Sequence, residues 1–70
     1  VMQEIHTRLL SILARLQSSP DRYQRGLAGW VEQAHDIERD GDGWRVLTAD
    51  GRQSWFRASS VDAVLKEHGA

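Results

Sequence analysis

A chain of 70 residues without cysteine excludes a disulfide framework, and three separated histidines, His6, His35 and His68, form no cluster with zinc-ligand spacing. Nine basic residues against ten acidic ones leave a net charge of −1, which lacks the basic excess of a dedicated nucleic-acid binder. No stretch is apolar enough to span a membrane, so the expectation is one small domain over 1–70, or a piece of a longer chain, in a reducing, cytoplasmic compartment.

The first predicted element is an amphipathic helix over about 2–17. Met2, Ile5, Leu9, Ile12, Leu13 and Leu16 recur at steps of three and four. Leu10 and Ala14 widen the apolar face, which needs cover from more than one side. That cover is either the rest of the domain or a second copy. Leu9, Leu10, Leu13 and Leu16 are therefore the candidate self-association residues.

Ser18-Ser19-Pro20 separates this helix from the next. Ser19 suits the N-cap and Pro20 the first helical position. The second helix is predicted from Pro20 to about Arg39, with Tyr23, Leu27, Trp30, Val31, Ala34 and Ile37 on its apolar stripe. Gly26 and Gly29 each cost about 1 kcal/mol in a helix interior. The expected return is close approach of the first helix.

Asp40-Gly41-Asp42-Gly43 reads as the helix stop. A β-hairpin follows, with strands over 44–48 and 53–57 joined at Asp50-Gly51. A two-residue loop sets Trp44 opposite Arg57 and Val46 opposite Trp55. One face then holds Trp44, Val46, Thr48, Gln53, Trp55 and Arg57, and the other Arg45, Leu47, Ala49, Arg52, Ser54 and Phe56. The Trp44–Arg57 pair would be a cross-strand cation–π contact.

A short helix starts at Ser59 or Ser60, with Ser59 and Asp62 as a capping-box pair, and stops at Gly69 behind Lys66 and His68. The fold class is α+β: two amphipathic helices, a β-hairpin and a short C-terminal helix. Two helices followed by a hairpin over 44–57 look like part of a winged-helix domain. The resemblance covers element order alone; the third helix is missing, and Glu38-Arg39-Asp40 is a poor end for a helix read against DNA.

No residue pattern points to catalysis. There is no cysteine, no Gly-x-Ser-x-Gly elbow, and His35-Asp36 would diverge on a helix. Asp40-Gly-Asp42-Gly fails as a calcium loop, since its fifth position is Trp44 and its twelfth Gly51. Gly41 and Gly43 lead into a strand rather than a helix, which is the wrong order for a phosphate loop. The expectation is no enzyme, no metal, no cofactor and no small-molecule substrate.

The hairpin carries the specific chemistry. Trp44, Arg45, Arg52, Trp55, Phe56 and Arg57 combine the two residue types most enriched at binding hot spots. The first functional expectation is a non-catalytic protein-interaction module that self-associates or binds a protein partner. The alternative is a nucleic-acid-binding accessory domain, with Trp44 and Trp55 stacking on bases and Arg45, Arg52 and Arg57 on phosphates.

Overall fold

The computed structural model describes residues 3–70. Met2, counted above in the first apolar stripe, lies outside them. The elements in order are α1 (Glu4–Ser11), α2 (Leu13–Gln17), α3 (Arg22–Gln33), β1 (Ala34–Asp40), β2 (Gly43–Thr48), β3 (Gln53–Arg57) and α4 (Ala58–Glu67). The fold is α+β. The helices pack on one face of a three-stranded antiparallel meander of order β1-β2-β3.

The first predicted helix is two. Ile12 leaves helical geometry at φ −114°, ψ 12°, just after the Ser11 hydroxyl donates to the Arg8 carbonyl at 2.6 Å. Serine back-bonding of this kind competes with the helical ladder and bends it. The break lets Ile5 and Leu9 on α1, then Ile12 and Leu16 by α2, all reach one core.

The second predicted helix is 12 residues long, shorter than expected, and starts later. Asp21, not Ser19, is the N-cap, accepting from Tyr23 N at 3.3 Å. Ser19 is buried, and its hydroxyl accepts from Asp21 N at 3.1 Å, so it shapes the turn that precedes the cap. The helix stops at Gln33, and Ala34–Asp40 is a strand. A stripe through Trp30, Val31, Ala34 and Ile37 suits a helix, but the last stretch holds a single large apolar residue. Pairing with β2 buries Ile37 completely and sets it opposite Val46, which a helix continuing into solvent could not do. A bulge at His35 adds one residue to β1 between the Ala34–Thr48 and Asp36–Leu47 pairs.

Asp40-Gly41-Asp42-Gly43 is therefore a hairpin turn and not a helix stop. Asp40 pairs with Gly43, and Gly41 takes φ 62° at the first central position, as a type II′ turn requires. The second hairpin is also shifted. Thr48 N donates to Arg52 O at 2.9 Å, and Gly51 N donates to Thr48 O at 3.1 Å. The loop thus holds three residues, Ala49-Asp50-Gly51, with Gly51 at φ 89°. Trp44 pairs with Phe56, Arg45 with Trp55 and Val46 with Ser54, one residue away from the expected register. The winged-helix likeness ends here as well, since residues 44–57 are the inner and outer strands of a meander that begins at β1.

α4 begins at Ala58, one residue before the expected serine cap, with Ala58 N held by the Asp42 carbonyl at 2.9 Å. Its end follows expectation. Gly69 takes φ 71°, Ala70 N donates to Leu65 O at 2.9 Å and Gly69 N to Lys66 O at 3.1 Å, the paired bonds of a Schellman motif. Arg15 donates to the His68 carbonyl at 2.9 Å and Arg8 to the Ala70 carbonyl at 2.8 Å. Two cations from α1 and α2 thus sit at the negative end of the α4 dipole.

Candidate functional site

The one-residue shift in register re-sorts every side chain of the hairpin. The three strands form rungs, Asp40–Gly43–Arg57, Glu38–Arg45–Trp55 and Asp36–Leu47–Gln53, that share the face turned away from the helices. The intervening rungs, Arg39–Trp44–Phe56 and Ile37–Val46–Ser54, share the helix-facing side. None of the outward residues belongs to the hydrophobic core, whereas Ile37 and Val46 are in it and Trp44 and Phe56 pack against it.

The six hairpin candidates therefore do not form one site. Arg45, Trp55 and Arg57 lie on the open face. Trp44 and Phe56 are half-buried on the helix side, where Phe56 meets Tyr23 edge-on at 6.1 Å between centroids. Arg52 stands outside the strands, at the end of the loop, with its guanidinium 5.5 Å from the Trp30 ring and its side chain bonded to Gln33. Of the self-association candidates, Leu9 and Leu16 are core residues and closed to a partner. Leu13 is partly buried against the core, and Leu10 is exposed.

Each tryptophan has an arginine over its ring, but the pairing differs from that expected. Arg39 covers Trp44 at 5.1 Å and Arg57 covers Trp55 at 5.8 Å. The expected Trp44–Arg57 contact is absent because the two belong to opposite faces. Trp44 also carries the one buried, unbonded side-chain polar atom found among the described residues, its indole N–H.

Trp55 is the focus of the open face. It is 42% exposed, more than any other large hydrophobic residue described. Its indole N–H donates to the Asp40 carbonyl at 3.1 Å, and its ring lies on Gly43, the only residue without a side chain on that side of the sheet. Around it Arg45 pairs with Asp40 at 2.7 Å and Arg57 with Asp42 at 3.1 Å. Arg52 pairs with Asp50 at 3.0 Å. The Thr48 hydroxyl, bonded to the Asp50 carboxylate, is the main cause that lowers the Asp50 pKa below its ordinary value, with Arg52 adding to it.

The acidic part of this face was missed in the sequence. Asp36, Glu38 and Asp40 fall at every second residue, a period-two signal that belongs to a strand and not to a helix. With β1 assigned, they form one acidic row along the edge of the open face. His35 and Asp36 are on this strand too, and the adjacent pair forms no hydrogen-bonded dyad.

A cleft opens beside α3. Gly26 and Gly29 do not receive the first helix: a Cβ at either would meet nothing within 4 Å. They floor a cleft of about 220 Å³ lined also by Arg25, Trp30, Gln33 and Arg52. Among the described residues, no three His, Cys, Asp or Glu side chains are grouped to hold a metal ion, and no helix is long and apolar enough to cross a membrane. Comparison with protein-family models, with curated proteins and with solved structures found no match for this chain.

Proposed function

We propose that this chain is a non-catalytic protein-interaction module that self-associates through the open face of its sheet. The observation that carries the reading is Trp55. It is a large exposed aromatic ring, fixed at its edge by the Asp40 carbonyl, on its underside by Gly43 and from the side by Arg57. An anchor already held in one conformation loses little side-chain entropy on binding, and tryptophan flanked by arginine is the composition of interface hot spots.

The nucleic-acid alternative loses support from the same geometry. Arg45, Arg52 and Arg57 each sit beside an aspartate, which lowers the positive potential that a phosphate would meet. Sedimentation equilibrium from micromolar to millimolar chain, with Trp55→Ala beside the wild type, tests the reading. Concentration-dependent mass that the substitution reduces is the expected result. A monomer at every concentration, or association indifferent to Trp55, overturns it. A salt-sensitive change in tryptophan fluorescence on adding mixed-sequence DNA or RNA would favour the alternative instead.

A further inference from the structure

The open face is laid out so that a copy of itself fits it in one orientation. Its β1 edge is acidic, with Glu38 and Asp40 in successive outward rungs, and its β3 edge carries Trp55 and Arg57 in those same rungs. Two sheets stacked face to face can be related by a twofold axis in two simple ways. An axis across the strands lays β1 on β1 of the copy, acid on acid. An axis parallel to β2 lays β1 of each chain on β3 of the other. Asp40 then faces Arg57 of the second copy and Glu38 faces its Trp55, and by symmetry each contact occurs twice. The axis passes along β2, where Leu47 meets its own counterpart, and the Arg45 charge is already neutralised by Asp40.

We propose that the occupant of this face is a second copy of the chain, bound about a twofold axis parallel to β2 with the acidic β1 row over the Trp55–Arg57 row. This rests on the self-association reading above and specifies its geometry. The strand edges offer a poorer route: β1, the longer edge, carries the bulge at His35 and a charged residue at four of its seven positions, features that oppose strand addition. Three outward residues on each of three strands give a patch of nine, well below the roughly 20–30 residues a side of a standard interface, so the dimer is a weak one.

The test uses two charge reversals and their mixture. Asp40→Lys puts a cation opposite Arg57 of the second copy, and Arg57→Glu puts an anion opposite its Asp40. Each change counts twice in a symmetric dimer, and each raises the dissociation constant by about tenfold at low salt. Mixing the two variants pairs the new cation with the new anion and leaves the unaltered rows matched. The mixed dimer then recovers to within about threefold of the wild type. Recovery on mixing also shows that both variants are folded. Sedimentation of one fluorescently labelled chain against the other reads all three constants. Dimerisation of the wild type that neither reversal weakens, or weakening that mixing does not repair, overturns this arrangement and leaves self-association standing. A wild-type chain that stays monomeric at millimolar concentration overturns both.

Discussion

The indole of Trp55 lies on Gly43, close enough that a Cβ at position 43 would overlap its six-membered ring and stand 2.6 Å from the Phe56 carbonyl oxygen. The glycine at the start of β2 is therefore a seat for the tryptophan two positions along the partner strand's outward face. Gly43→Ala must lift the ring, break its bond to the Asp40 carbonyl, or shift the backbone of β3. The expected destabilisation is about 1–3 kcal/mol, as for other overpacked sites. Chemical denaturation measures it, and a red-shifted emission from the Trp55 ring should accompany it.

At Trp44 the size of the effect should depend on what replaces the indole. Its indole N–H is buried without a partner, while its ring packs on the core beneath Arg39. Removing an unsatisfied donor while keeping an aromatic ring is close to neutral, so Trp44→Phe should change stability by less than about 1 kcal/mol. Trp44→Ala, which empties the site, should cost about 3 kcal/mol. A Phe variant as unstable as the Ala variant would mean that the N–H has a partner in solution.

The two halves of the first apolar stripe should respond differently to the same truncation. Leu16 is 0% exposed and Leu10 is 38% exposed. Leu16→Ala should cost about 2–5 kcal/mol, and Leu10→Ala should stay within about 0.5 kcal/mol. Thermal melts of dilute protein, where any dimer is dissociated, are the measurement. A large loss at Leu10 under those conditions would show that the face it lies on is covered within the chain.

The 49–51 loop makes a prediction about pH. The Asp50 pKa is held below its ordinary value of 3.8, first by the Thr48 hydroxyl and then by Arg52. A carboxyl with a depressed folded value stabilises the fold above the unfolded value near 3.8 and loses that contribution as pH falls through the folded value. Thr48→Val removes the hydroxyl, which also accepts from Arg52 N at 3.0 Å. Asp50 in this variant should titrate nearer its ordinary value, and the variant's stability deficit should shrink as the solution is acidified below that value. Side-chain carboxyl NMR shifts follow the first effect and melts against pH the second.

Much of the framework is legible in the residues themselves. The steps from Ile5 through Leu16 mark a helical face; Ile5, Leu9, Ile12 and Leu16 are in the core and Leu13 packs against it. Gly69 behind Lys66 and His68 marks the end of the last helix, and the Schellman bonds form there. Asp50-Gly51 marks a hairpin, and a hairpin is present. These signals are local: each depends on residues within a few positions of one another, so backbone preference and amphipathic spacing are enough to read them.

The site was less legible because it depends on pairing across the chain. Residues 34–40 hold one large apolar side chain, Ile37, and a single buried residue fits a helical stripe as well as a strand. Only the partner strand, with Val46 opposite Ile37, decides between them. The hairpin register turned on whether the loop has two residues or three. Gly51 at positive φ serves either, and the Thr48 hydroxyl binding Asp50 and Arg52 selects three. That one residue moves Trp44 and Phe56 to the helix side and leaves Trp55, Arg45 and Arg57 outside.

By itself, then, the sequence determined an α+β chain, the apolar faces of its helices, the place of its second turn and the presence of an arginine–tryptophan hairpin, because propensity and periodicity act over short range. The tertiary structure decided that there are three strands, which aromatic ring faces outward and which charges lie beside it. A strand's faces are assigned only when its hydrogen-bonded neighbours and the core beneath it are in place, and a shift of one residue exchanges them.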